Sequence, residues 1–314
     1  MHDRASARPT PRPRAAWLAL AAALALAPGA LAEESDAEPA IGFPGTLGLT
    51  GMRDMVDARV PAVLSIRAGA RYDVTVLEHK FRSAFRAARN QQSHEFTLYG
   101  GASALGLLDA SVRLPFVYRR DGIEFDGFPT PRARYEQGWG DLDVAAKVAW
   151  GLGPVVLSPF AFGKLPSGEP DVGDFARFEY GVAATFDFLN RYLAVHANLA
   201  GIQAEEGRQA IRYRLGASAV VWADEGFVVR VYGYGDGIEY EGSIDSDFDV
   251  DVGVQALLGL LTFELGLSLR LVDSGQIDDA LRGATSPADA AGIVERHITP
   301  AGHWSLVAGV GVMF

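Results

Sequence analysis

The chain has 314 residues, of which 49% are hydrophobic, 36 are glycine and none is cysteine, and its formal net charge is −11. This length and composition fit either one large β domain or two ordinary domains. The lack of cysteine excludes a disulfide framework. The acidic charge argues against nucleic acid as a partner, because nucleic-acid binding draws on an excess of lysine and arginine.

The first 32 residues have the features of a secretory signal peptide. Four arginines between residues 4 and 14 precede the apolar run AAWLALAAALALAPGALA, which ends in the A-x-A cleavage pattern Ala30-Leu31-Ala32. A membrane-anchoring helix is the alternative, but it needs about 20 apolar residues, and Pro28-Gly29 interrupts this run. We therefore predict an exported mature chain with 24 basic and 38 acidic residues and a net charge of −14.

Twelve segments alternate between apolar side chains and small or polar ones, which is the period of a β-strand. They lie at residues 64–76, 95–106, 110–120, 141–150, 155–164, 177–188, 192–202, 210–221, 226–238, 247–258, 261–272 and 303–314. Soluble strands usually have about five or six residues. A tilted strand of about 9 to 11 residues crosses a bilayer, so the segments have a transmembrane length.

The breaks between these segments alternate between short turns and longer loops, with short turns at residues 107–109, 151–154, 189–191, 222–225 and 259–260. Aromatic residues cluster at the segment ends, as in the two interfacial girdles of a membrane barrel. The sequence therefore predicts an all-β fold over residues 61–314. We expect a single antiparallel up-and-down transmembrane barrel of about 12 strands, with short periplasmic turns and long extracellular loops.

An exported, cysteine-free alternating chain that ends in the aromatic strand SLVAGVGVMF resembles the β-barrel proteins of the Gram-negative outer membrane. The resemblance implies an outer-membrane location, contact with its lipid and lipopolysaccharide, and recognition of the C-terminal Phe314 by the barrel assembly machinery. Within this class, LLDASVRLPFVYRRDG, GDLDVAAKVAW and LSPFAFGKLPSGE are similar to segments of transporter barrels of the meta-pathway phenol-degradation outer-membrane family.

The alternation turns charged side chains of both signs toward the lumen. Ten of them are the predicted lumen and selectivity residues: Arg67, Arg71, Asp141, Asp143, Arg212, Arg214, Arg230, Asp249, Asp251 and Arg270. One interpretation is a passive channel or transporter in which these charges select a small solute. The other is a closed structural or surface-interaction barrel whose lumen is filled by mutual ion pairs. Both remain open, because a barrel of about eight strands is filled by its own side chains, one of sixteen encloses a channel, and twelve lies between them.

Residues 33–60 precede the first strand, and the sequence leaves open whether they stay in the periplasm or enter the lumen as a plug. Acidic stretches at 168–174 and 239–247 predict a mild preference for cations at the outer mouth. The basic segment HKFRSAFRAAR at 79–89 is a candidate for contact with lipopolysaccharide phosphates, with an ordinary solvated loop as the alternative.

Enzymatic and metal chemistry find little support in the sequence. His303 and Ser305 have the spacing of outer-membrane phospholipases, but the predicted register turns both away from lipid. The other histidines of the mature chain lack metal-ligand spacing, and DSDFDVDV lacks the pattern of an EF-hand calcium loop. We therefore predict a monomer without enzymatic activity, bound metal or cofactor.

Overall fold

The structure, a computed structural model, describes residues 43–45, 49, 51–81, 87–125, 132–169, 178–188, 192–203, 209–224, 226–240, 246–272, 286, 289 and 304–314. The predicted signal peptide lies outside the described residues. Within the described part of the chain, no helix is long and apolar enough to span a membrane.

A short hairpin precedes a long series of strands. The strands are β1 (Gly51–Met52), β2 (Met55–Val56), β3 (Ser65–Phe81), β4 (Ala87–Ala104), β5 (Leu108–Phe125), β6 (Arg132–Trp139), β7 (Leu142–Val148), β8 (Trp150–Leu152), β9 (Val155–Leu165), β10 (Phe178–Phe188), β11 (Leu193–Gln203), β12 (Gln209–Asp224), β13 (Phe227–Tyr240), β14 (Ser246–Leu258), β15 (Leu261–Val272) and β16 (Trp304–Met313). The hairpin β1–β2 is a sheet of its own, and β3 to β16 form the wall of a barrel.

The wall is a closed antiparallel barrel of twelve strands, which confirms the predicted fold class. Strands β6, β7 and β8 are three consecutive pieces of one wall strand, since β6 and β7 both pair with β5 while β7 and β8 pair with β9. The last strand, β16, pairs with the first, β3, from Trp304↔Val76 to Met313↔Arg67. This pairing leaves the wall without a free edge.

The two faces of the wall differ in polarity as the alternation predicts. Along β11, Leu193, Val195 and Leu199 are exposed on the outside, whereas Ala194 and His196 are buried inside. Many exposed aromatic residues form two groups along the barrel: Phe96, Tyr118, Trp139, Tyr180, Tyr213, Phe248 and Trp304 on the side of the long loops, and Trp150, Phe186, Phe188, Phe227, Phe263 and Phe314 at the short-turn end. An apolar band between two aromatic belts is the surface that a bilayer requires.

The short turns have the backbone angles of tight hairpins. The φ angle is 67° at Gly153 and 59° at Gly259, a region that glycine enters without steric cost. On the opposite end, the long loops predicted near residues 78–93 and at 121–138 are wrong in their bounds. Residues 78–81 and 87–93 belong to β3 and β4, and residues 121–125 and 132–138 belong to β5 and β6. Backbone pairing continues there because ladder hydrogen bonds do not depend on apolar alternation.

The hairpin β1–β2 and the residues that follow it lie inside the barrel. Met52, Met55 and Ala58 are at most 1% exposed, and their neighbours are inward side chains of the wall. Backbone hydrogen bonds from Gly45 to Leu49 (2.7 Å) and from Gly51 to Phe43 (2.8 Å) fold the preceding residues onto the hairpin. We call residues 51–60 the inner segment.

Candidate functional site

All ten predicted lumen residues lie on the inward side of the wall. Six of them are at most 3% exposed, namely Arg67, Arg71, Asp143, Arg214, Arg230 and Asp251. Asp141 is 5% exposed, and Arg212, Asp249 and Arg270 are partly buried. Their proposed role in selectivity stays a prediction, but the placement makes them the lining of the interior.

Most of these charges are paired across neighbouring strands. Arg67 donates to Asp109, and Arg71 donates to Glu264. Arg270 forms a two-point contact with Asp249, with Nε–Oδ1 and Nη2–Oδ2 distances of 2.6 and 2.8 Å. Such bidentate pairs hold the guanidinium and carboxylate in fixed orientations. The paired charges therefore line the wall in a rigid arrangement.

Four charges on β10, β12 and β13 form one network. Asp236 accepts from Arg212 Nε at 2.8 Å and from Arg214 Nε at 3.2 Å. Arg214 Nη1 also contacts Glu179 Oε1 at 3.3 Å. Because each carboxylate faces both arginines, removal of any one member would leave an uncompensated buried charge.

The two aspartates at the start of β7 have different roles. Asp143 accepts from Arg113, whose guanidinium lies 5.6 Å from the centre of the Phe162 ring. Asp141 precedes β7, and its Oδ1 accepts from the backbone N–H groups of Ser167 and Gly168, both at 2.9 Å. Asp141 thus stabilises the chain that leaves β9, in addition to facing inward.

Arg53, at the tip of the hairpin, contacts three wall strands, β14, β16 and β3. Its Nη1 lies 3.1 Å from Asp251 Oδ1. Its Nη2 donates to Ser305 and lies 3.7 Å from Asp73 Oδ1. The Asp54 backbone N–H donates to the hydroxyl of Tyr234 at 3.0 Å. The inward contact of Ser305 agrees with the predicted register, whereas His303 lies outside the described residues.

Asp57 and Arg59 form a second anchor. Arg59 contacts Asp57 at 2.6 Å and Asp187 at 2.7 Å, and Lys147 Nζ donates to the carbonyl oxygens of Asp57 and Arg59. Burial alone would raise the pKa of Asp57, but the positive charges around it outweigh burial, with Arg59 first, and hold that pKa well below its ordinary value. Asp57 is therefore an anion at neutral pH.

His196 belongs to a buried polar chain next to this anchor. Its Nε2 lies 2.9 Å from Ser218 Oγ, and its Nδ1 lies 3.1 Å from Thr185 Oγ1, which in turn donates to Asp57 at 3.1 Å. The backbone of the inner segment also uses these side chains, since Ala58 N–H donates to Thr185 (3.0 Å) and Val56 N–H to Asn198 (2.8 Å).

Apolar packing complements the polar anchors. Met52 and Met55 pack with Tyr232 and Tyr234 on one side of the lumen. On the other side, a cluster joins the inner segment to inward residues of β7, β9, β10 and β11: Leu49, Val56, Ala58, Ala145, Phe160, Phe162, Ala183 and Ala200. The inner segment therefore contacts most of the wall and fills the barrel at this height.

The sequence analysis did not identify several residues that take part in the lumen contacts. Asp109 was assigned to a turn, but it lies on β5 and pairs with Arg67. Asp236 lies on the same face of β13 as the predicted residue Arg230, and Gln255 lies on the same face of β14 as Asp251, so the alternation alone could have identified both. The anchors Arg53, Asp57 and Arg59 carried a weaker signal, because charges within GMRDMVDARV reveal neither their depth nor their partners.

The predicted charged stretches at the outer mouth lie mostly outside the part of the chain that the structure describes. Most of the acidic stretches at 168–174 and 239–247, and the side chains of the basic segment at 79–89, lie outside the described residues. Among the residues that are described, no group of three or more His, Asp or Glu side chains is arranged to hold a metal ion.

No protein-family model matches the chain, and no curated protein matches it. The narrower resemblance to the meta-pathway phenol-degradation family is therefore not confirmed. Among solved structures, an outer membrane channel from Pseudomonas putida F1 has a TM-score of 0.52 and 12% sequence identity, and the match covers 83% of this chain and 99% of that chain. The β domain of the Bordetella autotransporter BrkA has a TM-score of 0.45 and 13% identity, and the match covers 80% of this chain and 100% of that chain. Because the identity is so low, the similarity to the Pseudomonas putida channel shows a shared barrel fold and nothing more.

Proposed function

We propose that the protein is a monomeric outer-membrane channel for a small solute, closed in this conformation by the inner segment. The observation that carries the proposal is the way in which residues 51–60 fill the lumen. Much of their attachment consists of polar contacts to wall side chains such as Asp251, Asn198 and Thr185. If the segment left, water could replace these contacts, because the same wall groups would face a wet lumen.

The size of the inner segment sets the size of the passage. A strand pair is about 5 Å from strand to strand and about 10 Å thick with its side chains. Displacement of the hairpin would therefore leave an opening suited to small solutes and too narrow for folded proteins. The external apolar band and the aromatic belts support a location in the outer membrane, and transport through such a lumen needs no cofactor and no chemistry.

The wall groups that the anchors use suggest the preferred charge of the solute. Departure of Arg53 would release Asp73 and Asp251, and departure of Arg59 would remove one partner of Asp187. Carboxylates exposed in a pore attract cations. We therefore expect the opened channel to prefer cations, in line with the preference predicted from the loops.

A disulfide between the inner segment and the wall tests this proposal directly, because the chain has no native cysteine. The backbone nitrogen of Ala58 donates to Thr185 Oγ1 at 3.0 Å, so the two residues are in direct contact. We expect the double variant Ala58→Cys/Thr185→Cys to be silent in planar bilayers when oxidised. Discrete conductance steps should return when a reductant is added.

Two controls complete the experiment. Each single cysteine variant should conduct equally with and without reductant, and a mature chain without residues 33–60 should conduct continuously with a reversal potential that favours cations. The alternative function is a closed surface-interaction barrel, which the paired and filled lumen also favours. Folded, heat-modifiable barrels that stay silent after removal of residues 33–60 would support that alternative and contradict the channel.

A further inference from the structure

The hairpin tip contacts a line of inward side chains that crosses five wall strands. The line is formed by residues that pair directly in the sheet: Tyr234 on β13, Asp251 on β14, Ser268 on β15, Ser305 on β16 and Thr75 on β3. Asp73 lies two residues before Thr75 and therefore on the same face of β3. Because direct and diagonal partners on one face lie within contact distance, these groups border one common space.

The guanidinium of Arg53 fills the polar part of this space. Its Nη1 contacts Asp251 on β14, while its Nη2 contacts Asp73 on β3 and donates to Ser305 on β16. Arg53 is 8% exposed. A guanidinium is a planar fork of donors, so its two outer nitrogens can reach carboxylates on different strands at once. The wall therefore shows the arrangement of acceptors that one fork-shaped cation requires.

An apolar platform borders the polar part. The rings of Tyr232 and Tyr234 are stacked, with centroids 6.2 Å apart and planes inclined by 24°. Met52 and Met55 of the hairpin pack against this pair, and all four residues are at most 5% exposed. Tyr234 is also the direct partner of Asp251. The charged groups and the rings thus form one continuous surface, and the hairpin covers it with one cation and two thioether side chains.

We propose that the wall holds a binding site for a small organic cation of the alkylguanidinium class, formed by Asp73, Asp251, Ser305, Tyr232 and Tyr234. In the closed barrel this guanidinium site is occupied by Arg53 and its flanking methionines. A guanidinium head satisfies both carboxylates and the hydroxyl, and an alkyl chain covers the rings, as the hairpin does. A bare metal ion would leave the rings uncovered, and an anion would face two carboxylates. The inference rests on the proposed channel function, because the solute reaches the site through the lumen.

Arg53 is then an intramolecular competitor of the solute. Two guanidinium groups cannot share the same pair of carboxylates, so a bound solute favours the conformation in which the hairpin tip has left. A tethered group competes at an effective concentration on the order of millimolar. A solute of this class would therefore open its own passage, and it would do so only at a comparable concentration.

Thermal unfolding of the full mature chain and of its Arg53→Ala variant tests the site. The probe is butylguanidinium, added at constant ionic strength against sodium. We expect it to raise the unfolding midpoint of Arg53→Ala in a saturable way, because a ligand of the native state stabilises it. The unchanged chain should bind the probe at least about tenfold more weakly, since Arg53 occupies the site in most molecules. A midpoint of Arg53→Ala that does not respond to the probe would overturn the proposal.

A carboxamide in place of one carboxylate identifies where the probe binds. Arg53→Ala/Asp251→Asn should bind butylguanidinium about tenfold more weakly than Arg53→Ala, because a charge-assisted hydrogen bond is lost. Arg53→Ala/Asp249→Asn is the matched control, because Asp249 lies two residues away on the same face of β14 and pairs with Arg270 instead. It should bind the probe as Arg53→Ala does. Equal weakening in both double variants, or none in either, would refute the site.

Tetramethylammonium is the matched probe. It carries the same charge without an N–H donor, so it should raise the midpoint of Arg53→Ala far less than butylguanidinium does. An equal response to the two ions would show that the lumen attracts any cation, and it would contradict the guanidinium class.

Planar-bilayer recordings separate this inference from the proposed function. Butylguanidinium should raise the open probability of the unchanged chain in a saturable way, whereas the Arg53→Ala chain should open without it. The recording of the unchanged chain needs no variant, so it decides the proposal even if Arg53→Ala does not refold. If both chains conduct and the probe leaves the open probability unchanged, the solute class is wrong while the channel stands. If both chains stay silent although the midpoints report binding, the channel is wrong and the binding site stands.

Discussion

At the scale of single residues, the lumen is dominated by ion pairs that are removed from water. The side chains of Arg67 and Asp109 are both 0% exposed, whereas those of Arg270 and Asp249 are 14% and 19% exposed. Both members of a buried pair have lost their hydration, so the pair is stable only while each partner is present. The same substitution should therefore have unequal effects at the two places.

We predict that Asp109→Ala lowers the free energy of unfolding by about 3–5 kcal/mol, because it leaves Arg67 and Lys147 without their shared carboxylate. Asp249→Ala is the control, and its cost should be about 1 kcal/mol or less, since its pair retains contact with water. Denaturant unfolding in the same detergent measures both values. Equal losses would mean that burial does not determine the strength of these pairs.

At the scale of the strands, a tyrosine ring on one strand occupies the space that glycines leave on the neighbouring strands. The inward ring of Tyr232 on β13 lies over Gly253 on β14 and reaches Gly266 on β15, and its hydroxyl donates to Glu264 at 3.1 Å. A Cβ atom on Gly253 would lie 2.4 Å from the ring and 2.8 Å from the Leu265 carbonyl oxygen. Glycine is required there because the ring occupies the space of a side chain.

Gly253→Val should destabilise the barrel by about 1–3 kcal/mol, the usual cost of excess volume in a packed interior. Gly151→Val on the exposed face of β8 is the matched control, because a Cβ atom at Gly151 meets nothing within 4 Å. Its effect should stay within about 0.5 kcal/mol. The comparison uses thermal unfolding midpoints, and a tolerated valine at position 253 would disprove the packing argument.

At the scale of the whole molecule, the two ends of the barrel sequence meet. The Phe314 N–H donates to the Ile66 carbonyl and the Ile66 N–H donates to the Phe314 carbonyl, both at 2.9 Å, next to the pairing of β16 with β3. Phe314 is 65% exposed. The side chain is thus available for recognition while the backbone closes the wall.

We propose that the assembly machinery recognises this side chain. Phe314→Ala should then reduce the amount of heat-modifiable barrel in outer membranes severalfold, while the purified variant refolds normally in detergent because its backbone bonds are retained. Phe188→Ala, at another exposed aromatic residue of the same belt, is the control. An equal loss in both variants, measured in membrane fractions, would argue against specific recognition.

The sequence predicted the barrel well because alternation at period two is a local signal that needs no knowledge of partners. All twelve segments correspond to wall strands, and the inward parity of residues such as Arg214 and Asp251 followed directly. The sequence could not predict which charges pair, because Arg214 contacts Glu179 and Asp236 only through the register of neighbouring strands. The position of residues 51–60 was equally undetermined, because it depends on contacts with residues more than a hundred positions away, such as Asn198.

The contact between the inner segment and β16 has a consequence for the rate of folding. Arg53 bonds to Ser305, 252 residues further along the chain, so this contact waits until nearly the entire wall has been synthesised and ordered. Proteins dominated by such distant contacts fold slowly. The pairing of β16 with β3 is also the event that encloses the hairpin, and a hairpin left outside at that moment would have to thread in through an end of a finished cylinder. The order of these two events therefore decides whether a newly made molecule reaches this conformation.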